Sequence, residues 1–391
     1  MPGSLPLDGI HVADFTQALS GPYCTMLLAD LGADVVKVER PGRGDDSRHW
    51  GPPFVGDTAA YFLAVNRNKR SLELDLHSPD GQQAAAALVA KSDVVVENWR
   101  PGTSARLGLD AATLRERHPR LVHCSISGFG SDGPPRAGYD QIVQGMSGWM
   151  SLTGEGAGEP TKAGVPVGDI SAGMFAAQGI MAALFKRERT GEGSVVDVAM
   201  LDSLVAMLAY QATRFFATGV PPLREGNQHA TIAPYGTFPT RDGSLNVCVG
   251  NDQQFQRLCA ALNAQQLGGD SRYQTNPLRL EHRAELTDDL SKVFRELTSA
   301  DLLERLELAG VPAGPIRTLD EVFADEDVQR RALQLRVDHE ELGEVSVPGG
   351  PWGIAGEPGG ARLRRPVRGQ HTAKIRKEPG REDPPPRQAD P

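Results

Sequence analysis

Hydrophobic and polar positions along the first two hundred residues favour strands and helices in turn. Ile10 to Phe15 is a short apolar run, and Ser20-Gly21-Pro22 marks a turn, with Pro22 suited to a first helical position. The run to Leu31, closed by Gly32, predicts a helix, and Val35-Val36-Lys37-Val38 predicts the strand after it. Strand, turn, helix and strand make one βαβ unit. The pattern returns as a helix over Gln82 to Ala90 and a strand at Val94-Val95-Val96. A helix near Ala111 to Arg117 and a strand from Leu121 to Ile126 follow. A long helix is expected from Asp169 to about Arg189, then a strand at Val195 to Val198 and a helix over Asp202 to Phe216. Such alternation predicts an α/β fold: a Rossmann-like, doubly wound large domain whose mostly parallel sheet is covered on both faces.

Gly219-Val220-Pro221-Pro222 interrupts this rhythm and is the best linker in the chain. Beyond it, a strand at Leu245 to Val249 and helices over Gln253–Leu262, His282–Leu297 and Ala300–Ala309 predict a smaller α/β domain, ending near Val311 to Pro315. The expected organisation is a large domain over 1–218, a small one over 223–325, and a return to the first over 326–391. Val345-Ser346-Val347-Pro348 reads as a late strand in that return.

The length of 391 residues exceeds one typical core, in keeping with two domains. A 39% hydrophobic and 23% charged composition is that of a soluble globular protein, and a net charge of -9 argues against nucleic acid as the main partner. Residues 361–391 carry nine Lys and Arg against four Asp and Glu, and with Pro384-Pro385-Pro386 they read as a solvated, disordered basic tail. Cys24, Cys124, Cys248 and Cys259 lie in apolar runs without Cys-x-x-Cys spacing, as buried reduced thiols would. The N-terminus lacks the pattern of a secretory leader, and Met174 to Phe185 is too short an apolar stretch to span a bilayer. A cytoplasmic protein with no membrane partner is expected.

Glu39 closes the second strand as a ribose-binding acid would. The first turn, Thr16 to Pro22, has one glycine where a dinucleotide fingerprint needs three, which argues against NAD or FAD. No G-x-S-x-G elbow surrounds Ser125-Ile126-Ser127-Gly128, and no metal-ligand spacing is found, so neither a metal nor a redox cofactor is expected. Arg40, the cluster Arg67, Lys69 and Arg70, and Asn98-Trp99-Arg100 with Arg106 follow strand ends or lie close by, where open α/β sheets bind ligands. Such arginines beside Trp99 suit a phosphorylated, adenine-bearing molecule. Asp169 stands where apolar sequence begins, in Gly168-Asp169-Ile170-Ser171. It is a helix cap or a nucleophile, and the two roles are compatible.

The segments Asp30-Leu31-Gly32-Ala33-Asp34-Val35-Val36-Lys37-Val38-Glu39-Arg40-Pro41, Asn66-Arg67-Asn68-Lys69-Arg70-Ser71, Glu97-Asn98-Trp99-Arg100-Pro101-Gly102 and Thr190-Gly191-Glu192-Gly193 stand in the order of the class III CoA-transferases, which the chain resembles over most of residues 5–320. The resemblance implies an interlocked homodimer, an acyl-CoA donor and a carboxylic acid acceptor, with Asp169 as the nucleophile of a covalent aspartyl intermediate. It places coenzyme A on Ala18, Leu19, Arg40, Leu74, Asp75, His77, Asn98, Trp99, Arg100, Arg106, Arg136 and Tyr139. Asp45 to Phe54 and Gly226 to His229 are most similar to members that move CoA from succinyl-CoA to dicarboxylates such as glutarate, with Arg48 or His229 to hold a distal carboxylate. Racemases of the family pair the aspartate with a histidine in a His-Asp-x-Asn-Tyr motif. Here the region reads Gly138-Tyr139-Asp140-Gln141, with no histidine between His123 and His229. The alternatives to a transferase are thus a racemase or epimerase, and a catalytically inactive acyl-CoA-binding relative. Leu19 replaces a glutamine found near the nucleophile in some members, and the chain beyond Gly369-Gln370-His371-Thr372 departs from the family's closing helix.

Overall fold

The computed structural model describes residues 5–133, 136–339, 343–354, 357–358 and 367–378, so the proline-rich end of the expected basic tail lies outside the described residues. The chain divides into two compact units. One holds Met1–Trp149, Lys162–Thr218 and Asp325–Pro391; the other holds Met150–Thr161 and Gly219–Ala324. The excursion Met150–Thr161 departs from the expected boundary, because nothing in its short polar sequence marks where it packs.

Six strands form the centre of the first unit: β1 (His11–Asp14), β2 (Asp34–Glu39), β3 (Lys69–Glu73), β4 (Val94–Glu97), β5 (Val122–Ser127) and β6 (Val195–Ala199). They lie in the order β3-β2-β1-β4-β5-β6, and every pairing is parallel. Val12 sits opposite Val35 on one side and Val94 on the other. Side chains alternate across a strand, so Val94 and Val96 enter the core that holds Met26, Leu27 and Ile180. Val95 enters the opposite one, with Leu88 and Leu114. This double burial explains the unbroken valine run.

Strand β3 was not read from the sequence, because its charged Lys69-Arg70 start looked like ligand chemistry. Lys69 is fully buried and Arg70 pairs with Asp34 and Glu378. Arg67, buried too, pairs with Asp30. None of the three is left over for a phosphate.

Helices α1 (Ser20–Asp30), α2 (Asp140–Met146) and α3 (Val167–Thr190) position the site. Helix α3 packs against α1, with Ala172, Ala176 and Ala177 buried in the same core as Cys24, Leu27 and Leu28. A Cβ at Gly173 would stand 2.6 Å from the Ser20 backbone oxygen, so only glycine lets the two helices close here. By length and composition α3 is apolar enough to cross a membrane, correcting the expectation that no stretch reaches that length; half of its apolar window is buried inside the protein. The helix expected over Asp202 to Phe216 is two, Met200–Met207 and Ala209–Thr218, split at Ala209, whose φ of 45° no helix continues through.

The late strand at 345–348 belongs to a separate hairpin of Gln334–His339 with Gly343–Pro348 and does not join the main sheet. After His371 the described residues hold a single helical turn over Thr372–Ile375. It docks on β3, with the His371 N–H donating to the Ser71 carbonyl (3.1 Å) and Ile375 buried beneath it.

The second unit is built on an antiparallel sheet of Tyr235–Pro239, Ser244–Cys248 and Ala313–Pro315, with Ser244–Cys248 in the middle. The helices Asp252–Ala261, Arg283–Phe294 and Ser299–Leu308 supply Phe255, Leu258, Phe294 and Leu302 to its core. Cys24, Cys124 and Cys259 are buried free thiols; Cys248, at a strand end, is only partly covered.

Candidate active site

The strand order reverses between β1 and β4, and ligands of open α/β sheets bind at such a switch point. The two loops that leave these strands are tied together there. Asn98 accepts the Gln17 N–H (2.8 Å) and donates to the Gln17 carbonyl (2.7 Å). From below, the fully buried Lys37 donates to the Thr16 carbonyl (2.8 Å) and pairs with Asp45 (2.9 Å), while Asp45 accepts the Ala18 N–H (3.1 Å). These bonds hold Ala18 at φ 66°, a left-handed conformation that alanine adopts only when its surroundings impose it. Asp14 anchors the other side through Thr16, Thr25 and Lys69. Burial pushes Lys69 down to about 8 against the pull of Asp14. On Asp14 burial acts upward, but Lys69 and Lys37 hold its carboxyl below the usual value.

The clamped loop ends at Ser20, the first residue of α1, which faces the start of α3. Asp169 stands in the third position of α3, and Pro166 before the helix offers no side-chain cap. The cap comes from another element. Asp140 of α2 accepts the N–H of Gly168 (2.8 Å) and, more weakly, that of Asp169 (3.4 Å). Asp140 is in turn fixed by Gln144 (2.6 Å). Capping of α3 is thus done by Asp140, leaving the Asp169 carboxylate to other work. Burial, and then the neighbouring charge of Asp140, raise the Asp169 carboxyl to about 7, with the Ser20 hydroxyl and N–H opposing. Burial together with both carboxylates also pushes the Tyr61 hydroxyl up to about 12.

Asp169 lines a cleft of about 510 Å³ together with Ala18, Asn98, Trp99, Arg100, Arg136 and Tyr139, all named from the sequence. A second cavity, of about 400 Å³, shares Gln17 and Trp99 with it and is lined by Arg40, Leu74, Asp75 and His77. The structure therefore gathers ten of the twelve expected CoA positions around the ends of β1 to β4 and the segment 136–139. Leu19 faces instead an apolar cavity with Tyr23, Met26 and Ile170. Arg106 lies on the exposed turn Thr103–Arg106, bonded to Thr103, and lines neither of the first two cavities.

One expectation fails on its partners. Arg48 donates two bonds to Glu39 (2.7 and 2.8 Å) and lies 3.7 Å over the Phe62 ring, 7% exposed, so its guanidinium is consumed inside the protein. His229 belongs to the second unit, where its ring packs on Tyr235, and lines none of these cavities. Reading by local sequence also missed Ser20, Tyr61, Asp140, Gln144 and Lys162. Ser20, Tyr61, Asp140 and Gln144 stand far from Asp169 in the chain, and Lys162 lies on the segment just before its helix.

A Rossmann-ordered sheet without a glycine fingerprint, with a half-buried aspartate in the cleft at its switch point, lacks the device by which dehydrogenases of this sheet order hold a dinucleotide. The chain belongs to CoA-transferase family III, which it matches over residues 7–372. It is 45% identical to a succinate–glutarate CoA-transferase of Agrobacterium fabrum, over 95% of this chain and 94% of that one. It is 41% identical to the human succinyl-CoA:glutarate CoA-transferase, over 95% and 86%. The crystal structure of a CAIB/BAIF family protein from Brucella suis superposes with a TM-score of 0.84 at 42% identity, covering 96% of this chain and 99% of that one.

Proposed function

We propose that this CoA-transferase moves CoA from succinyl-CoA to a dicarboxylic acid such as glutarate through a covalent intermediate on Asp169. The observation that carries the reading is the Asp169 carboxylate itself, relieved of capping by Asp140 and set in the cleft that adjoins the arginine-lined cavity. The ionised carboxylate attacks the thioester carbonyl carbon, the C–S bond breaks, and CoA leaves as thiolate. The thiolate then attacks the Asp169 carbonyl of the mixed anhydride, releasing succinate and leaving an aspartyl-CoA thioester. The acceptor carboxylate attacks that thioester, and the returning thiolate takes the acceptor's acyl group and restores Asp169. No net proton is consumed.

In this reading Arg40, Leu74, Asp75, His77 and Trp99 hold the adenosine-phosphate end of CoA. Ala18, Asn98, Arg100, Arg136 and Tyr139 border the thioester end. The expected homodimer is supported by apolar side chains standing in solvent along Met200–Thr218, among them Tyr210, Phe215 and Phe216, the last 78% exposed. The test is to mix enzyme with succinyl-CoA, add hydroxylamine and map the product by peptide mass spectrometry. A hydroxamate on Asp169 is expected. Its absence with turnover intact would mean another nucleophile.

A further inference from the structure

A diacid that presents one carboxylate to Asp169 must place its other carboxylate in the same cleft. Burying that charge without a cation would cost far more than binding returns. Arg48 is spent on Glu39, which leaves the cations that line the cleft itself.

Three cations line the cleft: Arg100, Arg136 and Lys162. Arg100 follows Trp99, which forms the shared wall with the cavity holding Arg40 and so faces the CoA side. The Arg136 guanidinium is stacked 3.7 Å over the Phe129 ring. Lys162 enters from the segment that leads into α3. Its ammonium makes one bond, to the adjacent Ala163 carbonyl (3.2 Å), and among the described residues it has no carboxylate partner.

The backbone beside it shares a frame with the nucleophile. The Ala163 N–H donates to the side-chain oxygen of Gln144 (2.8 Å), a fully buried residue whose amide group donates to Asp140 (2.6 Å). Asp140 accepts from Gly168 and Asp169 at the start of α3. One buried carboxamide thereby fixes the Lys162 segment relative to Asp169.

We infer that Lys162 holds the distal carboxylate of the dicarboxylic acid and selects diacids over monoacids. This rests on Asp169 being the nucleophile. An ammonium on a flexible stem follows diacids of differing length where a rigid guanidinium would not, which suits a cleft of this size.

In a double-displacement reaction kcat/KM for the acceptor depends on the second half-reaction alone, so glutarate and valerate, equal in chain length, isolate the distal charge. Lys162→Met should lower kcat/KM for glutarate by about 10- to 100-fold, the scale of one hydrogen bond to a charged group. Valerate should stay within about twofold, and Lys162→Arg should recover most of the loss. Unchanged glutarate kinetics, or equal losses on both acids, would overturn the assignment. Hydroxylamine trapping on the same variant separates the two claims. A hydroxamate on Asp169 with unchanged selectivity sinks Lys162 alone, whereas no hydroxamate even in the wild-type enzyme sinks the nucleophile and the inference together.

Discussion

The two units of this chain bury different chemistry. The second closes on Phe238, Leu245, Phe255, Leu258, Tyr273 and Phe294, and Arg279 is its one buried charge among the described residues. That arginine is fully used, bonding the Ala233 and Tyr273 carbonyls and the Asp252 carboxylate. The first unit buries Asp14, Lys37, Glu39, Asp45, Arg48, Arg67 and Lys69 beside an apolar core of its own. Buried ion pairs add little net stability over a well-packed apolar substitute, yet breaking one is severe. What they hold here is position: Asp14, Lys37 and Asp45 bond the loop Thr16–Leu19 directly, and Lys69 and Glu39 bond the groups that fix it. An apolar core makes a unit compact; a charged one also holds a strained turn beside the Asp169 cleft.

The sharpest way to break the comparison is at the charge this framework serves. Asp169→Asn should lower turnover by at least about 1,000-fold, the scale of losing a nucleophile, and abolish hydroxamate formation. The same variant should melt higher than the wild type at pH 8 and about equally near pH 4. The reason is that a carboxyl raised to about 7 in the folded state binds more protons than the unfolded chain between about 4 and 7, so its ionisation costs stability as pH rises through that window. A destabilised Asp169→Asn at pH 8 would contradict the raised value.

A smaller effect should separate the two units directly. Lys37→Met leaves Asp45 buried without its partner and should cost about 3–5 kcal/mol of stability. It should also lower kcat in the fraction that remains folded, because the Thr16 and Ala18 backbone is no longer held. Leu258→Ala, in the apolar core of the second unit, should cost a similar 2–5 kcal/mol while kcat per folded molecule stays unchanged. Chemical denaturation paired with active-site titration reads both numbers. Equal kcat in the two variants would remove the positional role of the charged network.

The smallest expected effect is a shift in a pH profile. With Asp169 as the proposed nucleophile in its ionised form, kcat/KM should rise with pH and level off above about 7. Asp140→Asn keeps an oxygen to cap α3 but removes the repelling charge, so the acidic limb should move to lower pH. A limb that stays in place would assign the raised value to burial alone.

Much of the first unit was legible because its strands announce themselves. Val94-Val95-Val96 feeds two cores at once and reads as a fully buried strand, and the Ser20-Gly21-Pro22 turn opens a helix where it should. Strand β3 is hidden because its first residues are charged, and the carboxylates that balance them, Asp14 and Asp34, are both more than thirty residues away. Arg48 looked like a carboxylate ligand for the same reason. A guanidinium in a sequence carries no sign of whether its partner is a substrate or Glu39.

What the sequence alone determined is the alternation of elements and the absence of a dinucleotide fingerprint, which depend on residue type and local spacing; the nucleophile reading of Asp169 comes from the family resemblance. Whether Asp169 caps its own helix could not be decided there, since an aspartate in a first turn suits both roles. The tertiary structure decided it by bringing Asp140, twenty-nine residues earlier, onto the N–H groups of α3. The reason is general: a helix end needs its donors satisfied, but it does not matter to the helix which part of the chain supplies the oxygen.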